Sequence, residues 1–303
     1  MGVEKMKIYS IIVTYNGIKW LDRCFSSLRA SIVPVNVIVI DNGSTDNTVN
    51  YLREHYPEVI LKEYNENLGF AKANNIGIRL ALDCGADYVF LLNQDAWIEK
   101  NTISELLRSF EEQSNVGIVA PVQLNGSGSG LDEGFTHYMP SEFISDAYMQ
   151  KLRDCYVVPF VNAAAWLISV ECIKRVGGFD TSLFFHYGED DNYCQRVQYH
   201  QYKIVLNTHC SFCHDREFRK GNEKNYREKI MRLSPFHKEN LLYGNINLDF
   251  EMRSISRAQW KSLIVSFLFL AQDKIKKHLA LLRHLKRIQS SRDANIKGGL
   301  VWL

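Results

Sequence analysis

Two amides and a carboxylate, Asn93-Gln94-Asp95, directly follow an apolar run, Tyr88 to Leu92, that is typical of a buried β-strand. In open α/β sheets, ligands bind beyond the carboxyl ends of the strands. A carboxylate there can hold a divalent cation on a substrate diphosphate, because hard cations take oxygen ligands. The alternative is a polar turn that merely ends a strand, and the rest of the chain has to decide between the two.

Two other predicted strands end in the same way. The first is followed by Thr14-Tyr15-Asn16, and the second ends at Asp41. A carboxylate at Asp41 can accept hydrogen bonds from a base N–H or from ribose hydroxyls, although a turn aspartate that caps the next helix is an alternative. A core sheet has no structural need for polar residues at Thr14, Asp41 and Asp95 together, so we expect a shared crevice.

The loop after the third predicted strand contributes Gly69, Lys72 and Asn75. The glycine permits close approach of the backbone to a ligand. The other two residues lie at the start of the next helix, where a phosphate can dock. A solvated helix start is the alternative interpretation.

Glu189 and Asp190 form an acidic pair beside the aromatic residues Phe184 and Phe185. Adjacent carboxyl groups raise each other's pKa, which favours one of them as a general base near neutral pH. Acids are also stabilised at a helix N-terminus, and both interpretations can hold together.

The segment His209 to Asp215 contains a Cys-x-x-Cys-His pattern formed by Cys210, Cys213 and His214. The pattern formally matches c-type haem attachment, which requires export, and no export signal is visible. A closed zinc site would need two further ligands, and no second pair has suitable spacing. We favour His214 as a second ligand to a metal held by Asp95.

Alternating strands and helices in the first half predict parallel βαβ units and a mostly parallel sheet of the α/β class. The expected strands are 8–13, 35–40, 59–64 and 88–92, and the expected helices are 19–30, one begun by Ser44 or Thr45 as N-cap, and 71–82. For the second half we expect strands at 116–122, 157–170 and 203–206, helices at 171–176 and 190–199, a flexible loop at 125–130 and a mobile loop at 131–156. We place a catalytic domain at 1–225 and a basic helical region at 226–303.

Composition suits a soluble globular protein, since 46% of the 303 residues are hydrophobic and 23% are charged. Residues 251–303 hold eleven Lys/Arg and three Asp/Glu, a net of +8, which leaves −6 on the other 250 residues. The seven scattered cysteines and the lack of a visible signal sequence predict reduced thiols and a cytoplasmic protein.

The basic C-terminal region contains an amphipathic helix over 274–288, with Ile275, Leu279, Leu282, Leu285 and Ile288 on one face. Such a helix suits an anionic lipid surface, which predicts a peripheral protein on the inner face of the cell membrane. Packing on the protein body or in a homodimer is the alternative. Nucleic acid is not expected as a partner, because no stacking platform accompanies the charge.

In this order, the motifs resemble the family 2 inverting glycosyltransferases of the GT-A fold, and most of all their rhamnosyltransferase-like branch. The resemblance runs from Ile8 to about Asp215 and includes two further motifs, Gly177-Gly178-Phe179-Asp180 and Glu189-Asp190 with Arg196. It implies a mostly parallel mixed sheet and transfer of one sugar from a nucleotide-diphospho-sugar to a saccharide or lipid-linked acceptor in bacterial surface polysaccharide synthesis.

The resemblance also implies roles for individual residues. Asp41 would bind the nucleobase, and the remaining donor contacts would come from Thr14, Tyr15, Asn16, Gly69, Lys72, Asn75, Asn93 and Gln94. Asp95 would hold Mg²⁺ or Mn²⁺ on the diphosphate, with His214 as a later ligand. Asp190 would be the general base, with Glu189 as its neighbour and alternative.

The chain departs from the family pattern at the metal motif, where Asn93-Gln94-Asp95 replaces Asp-x-Asp and keeps one carboxylate. The Gln-x-x-Arg-Trp signature of processive synthases is absent. Two other functions remain open at this point: a sugar nucleotidyltransferase, whose usual Gly-rich loop is not seen after the first strand, and a non-catalytic nucleotide-sugar-binding protein at the membrane.

Overall fold

The computed structural model describes residues 6–185, 187–216 and 236–303. These residues form one mixed nine-stranded sheet flanked by helices. The strands are β1 (Ile8–Thr14), β2 (Asn36–Asp41), β3 (Ile60–Glu63), β4 (Tyr88–Leu92), β5 (Ala96–Ile98), β6 (Val116–Asn125), β7 (Cys155–Val157), β8 (Ala165–Ser169) and β9 (Lys203–His214). The helices are α1 (Ile18–Arg29), α2 (Thr48–His55), α3 (Phe70–Asp83), α4 (Thr102–Glu112), α5 (Glu133–Tyr138), α6 (Ser141–Tyr148), α7 (Val170–Val176), α8 (Glu189–Tyr199), α9 (His237–Tyr243), α10 (Met252–Leu268) and α11 (Gln272–Lys297).

The strand order is β3-β2-β1-β4-β8-β6-β9-β5, with β7 paired to β9. The first four strands are parallel, as predicted, while β8 runs antiparallel to both β4 and β6. The register pairs Thr14 with Asp41 at the ends of β1 and β2. The polar residues that end these strands therefore meet at one edge of the sheet.

Apolar residues cover both faces of the sheet because successive strand residues point to opposite sides. Ile11 of β1 belongs to the core beneath α3, and Ile12 belongs to the core beneath α1 and α4. Both side chains are fully buried. A strand buried on both faces explains the continuous apolar run in the sequence.

Several elements differ from the sequence prediction. The turn after Asp41 does not place Ser44 or Thr45 at the helix start, because α2 begins at Thr48 with Asn47 as its N-cap residue. The expected strand 157–170 is divided into β7 and β8, and both β5 and α4 were missed.

The expected mobile loop at 131–156 is largely structured, so that prediction is wrong. It contains α5, α6 and the start of β7. Phe135 and Phe143 are buried and stack edge to face, and Phe143 does the same with Tyr156. Single aromatic anchors in a polar segment give no periodic pattern, which is why the sequence did not reveal them.

The last predicted strand, 203–206, extends in β9 as far as His214. Cys210 and Cys213 are three residues apart on this strand and so project to opposite faces, which removes the Cys-x-x-Cys pair as a chelate. Both thiols are free, as are the other five cysteines. Among the described residues, no group of three or more His, Cys, Asp or Glu side chains is placed to hold a metal.

The C-terminal helices end in a segment that docks firmly on the sheet domain. Asp180 is fully buried and accepts hydrogen bonds from Ser291 and from Asn295 Nδ2 (3.1 Å). Gly178 N donates to Val301 O (2.9 Å). The Gly-Gly-Phe-Asp motif therefore anchors α11 and the last residues of the chain. The predicted domain boundary at 225/226 lies outside the described residues and stays a prediction.

The predicted lipid-binding face of the amphipathic helix is largely buried in protein. Leu285 and Ile288 pack with Leu183 and Phe184 in a small core, and Leu282 is also buried. Leu285 and Ile288 therefore pack on the protein body, which is the alternative that the sequence left open. Among the described residues, no helix has the length and apolarity needed to cross a bilayer.

Candidate active site

Asp41 lies at the centre of a hydrogen-bond network where β1 and β2 end. Its Oδ2 accepts from Thr14 Oγ1 (2.8 Å) and Ser44 Oγ (2.5 Å), and its Oδ1 accepts from Ser44 N (2.9 Å). The carboxylate is only 2% exposed. These fixed donors hold the carboxylate in one orientation. A group that contacts one edge of a planar ligand needs such a fixed orientation.

Asn16 fixes the loop that follows Asp41. Its Oδ1 accepts from Thr45 N (2.7 Å), and its own N–H donates to Ser44 Oγ (3.0 Å). Asn16 has a positive φ of 48°, which asparagine tolerates better than most residues. The neighbouring Tyr15 ring is 45% exposed at the crevice edge. Asn16 thus has a structural role here, and the exposed Tyr15 ring is free to contact a ligand.

Gln94 joins the ends of β1 and β4. Its Oε1 accepts from Tyr15 N (3.0 Å), and its Nε2 donates to Tyr15 O (3.1 Å). Gly17 leaves the space for this amide, since a Cβ at that position would overlap Gln94 Oε1. The main-chain N–H of Asn93 donates to Ala164 O (2.9 Å), which ties the end of β4 to the residue before β8. An amide in this position makes both bonds, whereas a carboxylate could only accept.

Asp95 and His214 face each other directly after β4 and at the end of β9. His214 Nε2 lies 3.1 Å from Asp95 Oδ1, and β5 beside Asp95 pairs with β9. The side chain of His214 is 1% exposed and that of Asp95 is 14% exposed. The sheet therefore brings together two residues that are 119 positions apart in sequence.

Three residues that sequence reasoning missed lie behind His214. Gln123 Nε2 is 2.9 Å and Arg216 Nε 3.2 Å from His214 Nδ1, and Tyr138 donates to Gln123 Oε1 (3.3 Å). Arg216 can only donate, so Nδ1 accepts from it, and the ring proton lies on Nε2, which donates to Asp95 Oδ1. No short motif marks these residues, because they come from β6, α5 and the end of β9.

The loop before α3 has a mixed outcome. Gly69 precedes α3 with a φ of +81°, and Phe185 O packs where a side chain would lie. Lys72 is exposed and lines a cleft of about 320 Å³ with Leu68 and Phe185. The Asn75 amide is buried, and it bonds the backbone of Phe179 at both N and O and also Trp302 O. These bonds give Asn75 a structural role, and a donor contact there would have to replace one of them.

The acidic cluster at the start of α8 differs from the residues at the strand ends. Glu189 is 6% exposed, and its Oε2 has no hydrogen-bond partner among the described residues. Asp190 is partly exposed, and its Oδ1 accepts from Asp191 N (3.0 Å). The N–H of Ala163 also donates to the Asp190 carboxylate. Of the two predicted candidates for the base, Asp190 has the better means to carry negative charge.

The pKa values of this cluster are raised mainly by burial. Burial, followed by the charge of Asp190, raises the pKa of Glu189 to about 8. The same two causes raise the pKa of Asp191 to about 7. Burial also raises the pKa of Asp190, while backbone donors and the charge of Arg216 lower it. Near neutral pH, Glu189 is therefore largely protonated, while the backbone donors and Arg216 favour the ionised form of Asp190.

Arg216 connects the two parts of the site. It donates to His214, lies 3.6 Å from the Asp132 carboxylate, and lowers the pKa of Asp190 by its charge. Asp132 in turn caps α5 by accepting from Phe135 N (3.0 Å). The segment that was expected to be a mobile loop therefore helps to hold the arginine between His214 and Asp190.

The donor set suits a divalent cation that is shared with a substrate. Asp95 offers a carboxylate. His214 Nε2 offers an imidazole nitrogen once the ring proton moves to Nδ1, which requires Arg216 to release that atom. Mn²⁺ accepts both kinds of ligand and also takes phosphate and water oxygens. Two protein ligands leave most of the coordination shell open. The residues therefore fit a cation that binds together with a diphosphate.

Comparison with known proteins agrees with this arrangement. The profile of the family described as glycosyl transferase family 2 matches residues 10–177. The chain belongs to this family. Its matched region contains every strand-end residue of the site up to Asp95, while the α8 cluster and His214 follow it in sequence.

The curated relatives of this family 2 chain include rhamnosyltransferases. The dTDP-rhamnosyl transferase RfbF of Shigella flexneri is 31% identical over 199 residues, 62% of each chain. The N-acetylglucosaminyl-diphospho-decaprenol L-rhamnosyltransferase of Mycobacterium tuberculosis is 29% identical over 205 residues, 59% of this chain and 66% of the relative. The chain thus spans roughly two thirds or slightly less of these relatives.

Solved structures support the GT-A fold. The mannosyltransferase PcManGT of Pyrobaculum calidifontis, in complex with GDP-Man and Mn²⁺, aligns with a TM-score of 0.56 at 16% identity over 97% of this chain and 88% of its own. TarS of S. aureus in complex with UDP-GlcNAc aligns with a TM-score of 0.52 at 18% identity, over 70% and 59% of the two chains.

Proposed function

We propose that this chain is an inverting glycosyltransferase that moves one rhamnose-type sugar from a nucleotide-diphospho-sugar to a saccharide or lipid-linked acceptor in surface polysaccharide synthesis. The observation that carries the proposal is the Asp95–His214 pair, which lies at the same sheet edge as Asp41. This edge is where α/β sheets bind ligands.

On the donor side, Asp41 is the nucleobase or ribose contact. Its carboxylate is already oriented by Thr14 and Ser44. The exposed ring of Tyr15 offers an apolar surface beside it. This preorganisation supports binding of the nucleoside part of the donor.

Asp95 and His214 would hold Mn²⁺ or Mg²⁺ on the donor diphosphate. When bound, the cation stabilises the charge that develops on the leaving diphosphate. Two GT-A neighbours support this use of a metal, since PcManGT was solved with GDP-Man and Mn²⁺ and GalNAc-T7 with UDP, GalNAc and Mn²⁺. With a single carboxylate in the Asn93-Gln94-Asp95 motif, we expect tight metal binding only with the donor present.

Asp190 would take the proton of the acceptor hydroxyl as this oxygen attacks the anomeric carbon. Attack from the face opposite the diphosphate inverts the anomeric configuration. A carboxylate base needs a pKa high enough to accept the proton and low enough to be ionised. Burial raises the pKa of Asp190, and Arg216 restrains that rise.

The names of the two rhamnosyltransferase relatives suggest dTDP-rhamnose as donor and a diphospho-polyprenol-linked N-acetylglucosamine as an acceptor. A lipid-linked acceptor would place the protein at the inner face of the membrane, as the basic C-terminal region also suggests. A homodimer through the C-terminal helices stays a prediction.

The test is a transfer assay with purified protein, dTDP-rhamnose, Mn²⁺ and a short-chain lipid-linked N-acetylglucosamine. We expect one sugar per acceptor, with an anomeric configuration opposite to that of the donor by NMR. Retention would contradict the assigned chemistry. Release of pyrophosphate from a nucleoside triphosphate and a sugar phosphate would instead indicate a nucleotidyltransferase, and donor binding without transfer to any acceptor would indicate a binding protein.

A further inference from the structure

The helical hairpin formed by α10 and α11 exposes a large apolar surface. We call it the hairpin tip, and it consists of Trp260, Ile264, Val265, Phe267, Leu268, Phe269 and Leu270. The last three are 76%, 78% and 84% exposed, and the other four are 51–57% exposed. Contiguous apolar surface of this kind on a soluble protein marks an interaction site.

Other residues form the buried side of the hairpin. The face of α10 that is turned inward is formed by Leu263 and Ser266, which are 2% and 5% exposed. A hydrogen bond between His278 Nδ1 and Gln259 Oε1 (3.0 Å) links the two helices. The exposed apolar residues therefore lie on the outer side of an already packed pair.

The turn between the helices presents apolar side chains at a conformational cost. Leu270 has a φ of +49°, a region that a glycine would occupy more easily. The turn is closed by main-chain bonds from Leu270 N to Phe267 O (3.1 Å) and from Ala271 N to Ser266 O (2.9 Å). A leucine in this position is consistent with a requirement for an apolar side chain at the tip.

Positive charge surrounds the tip. Residues 252–281 contain six Lys/Arg and one Asp, a net of +5. Lys261 lies in α10, and Lys274, Lys276 and Lys277 follow the turn, all with exposed side chains. Apolar side chains ringed by lysine match a surface that is apolar inside and anionic outside.

We propose that the hairpin tip inserts into the interface of a bilayer containing anionic lipid. Trp260 suits the boundary between headgroups and acyl chains. This surface differs from the apolar face of 274–288, whose Leu282, Leu285 and Ile288 are buried in protein. The other end of α11 is fixed to the sheet domain at Asp180.

The proposal rests on the membrane partner in the proposed function and adds a defined geometry to it. The 26 residues of α11 span about 39 Å. A rigid helix of that length, anchored at one end and inserted at the other, would set the distance between the active site and the lipid surface.

The test is co-sedimentation of the full chain with phosphatidylcholine vesicles that contain or lack phosphatidylglycerol, with no donor, metal or acceptor present. Its result is therefore independent of any transfer reaction. We expect binding to the anionic vesicles. Replacing three exposed tip residues (Leu268→Ser, Phe269→Ser, Leu270→Ser) should weaken it by about a hundredfold. Ile32→Ser, at an exposed position in the sheet domain, is the apolar control and should change little.

Two charge-reversal variants test which part of α11 contacts the membrane. Lys274→Glu, Lys276→Glu and Lys277→Glu together should weaken binding to anionic vesicles by about a hundredfold or more. Arg283→Glu, Lys286→Glu and Arg287→Glu make the same change in net charge on exposed residues farther along the helix. They lie about 15 Å farther along the helix axis than the three lysines, which exceeds the Debye length of about 8 Å at physiological salt, so their effect should be smaller.

Several outcomes would overturn the proposal. One is failure of the wild type to bind anionic vesicles, and another is undiminished binding by the tip serine variant. Equal losses in the two charge variants would indicate that the whole helix lies on the membrane. A dimer that becomes a monomer in the tip variant by analytical ultracentrifugation, without vesicle binding, would assign the surface to a second copy of the chain. Matching thermal unfolding curves check that each variant folds.

Discussion

The carboxylates at the strand ends and those at the start of α8 are held in opposite ways. Asp41 is surrounded by hydrogen-bond donors from Thr14 and Ser44, and Asp95 faces His214. Glu189 is buried with one oxygen unpaired among the described residues, and its pKa is raised to about 8. In the proposed function, the strand-end carboxylates hold the donor and its metal, whereas the α8 cluster takes the proton of the acceptor.

The largest expected effect of a single change is on the base. Asp190→Asn removes the proton acceptor while keeping the size of the side chain, so transfer should fall by about a thousandfold. Donor affinity, measured by titration calorimetry, should stay unchanged. Asp191→Asn is the matched control on the same helix and should lower the rate only a few-fold. Full transfer by the Asp190 variant would show that the base lies elsewhere.

Glu189→Gln tests the buried member of the cluster through stability. The pKa of Glu189 in the folded state, about 8, exceeds the ordinary value of 4.5, so the folded state binds this proton more tightly than the unfolded state does. The associated stability is fully present below about pH 4.5 and is lost as pH rises towards 8, at up to about 1.4 kcal/mol per pH unit.

In urea unfolding curves measured between pH 5 and pH 8, the Glu189→Gln variant should therefore lose less stability with rising pH than the wild type does. Glu133→Gln, in the exposed first turn of α5, serves as the control and should leave the wild-type slope in place. Parallel pH profiles for wild type and Glu189→Gln would contradict the burial argument.

Asp41→Asn should weaken donor binding rather than slow the transfer step. The amide nitrogen of asparagine cannot accept a hydrogen bond. If it replaces Oδ1, the bond from Ser44 N is lost, and if it replaces Oδ2, the bonds from Thr14 Oγ1 and Ser44 Oγ are lost. Loss of a hydrogen bond to a charged group costs about 1.5–3 kcal/mol. The donor KM should rise by about tenfold to a hundredfold with kcat little changed. A fall in kcat with unchanged KM would remove the distinction between the two regions.

Arg216→Ala should have the smallest effect of these changes, and it tests how the charge of Arg216 influences Asp190. The arginine lowers the pKa of Asp190, so its removal should move the acidic limb of the kcat profile to higher pH. Arg216→Lys keeps the positive charge and should leave the limb nearer its original place. If both variants shift the limb equally, the effect comes from the hydrogen bond to His214 rather than from charge.

The difference between the two regions also explains what the sequence could predict. Strand ends follow apolar runs closely, so Thr14, Asp41 and Asp95 could be assigned to one edge from their spacing alone. Arg216, Gln123 and Tyr138 could not, because their positions depend on the packing of β6, β9 and α5. The 131–156 segment was predicted wrongly because its buried aromatic residues, such as Phe135 and Phe143, do not recur at the spacing of a helix or a strand.

The C-terminal region shows the same limit. Its basic amphipathic pattern was visible, but the pattern could not tell which apolar residues face protein. Ile288 packs on the sheet domain, while Leu268, Phe269 and Leu270 face outward. Only the tertiary contacts of α11 with Asp180 and the small core around Leu183 distinguish these groups.

The most direct test of the account is the thermal stability of the wild type and of Asp95→Asn with nucleotide sugars, each with and without Mn²⁺. Ligand that binds the folded state raises its stability, by about 2.7 kcal/mol at a hundred times Kd. We expect dTDP-rhamnose to stabilise the wild type strongly only with Mn²⁺, and to lose that metal dependence in Asp95→Asn. No stabilisation by any nucleotide sugar, or the same metal-dependent stabilisation in both proteins, would contradict the assignment of the strand-end site.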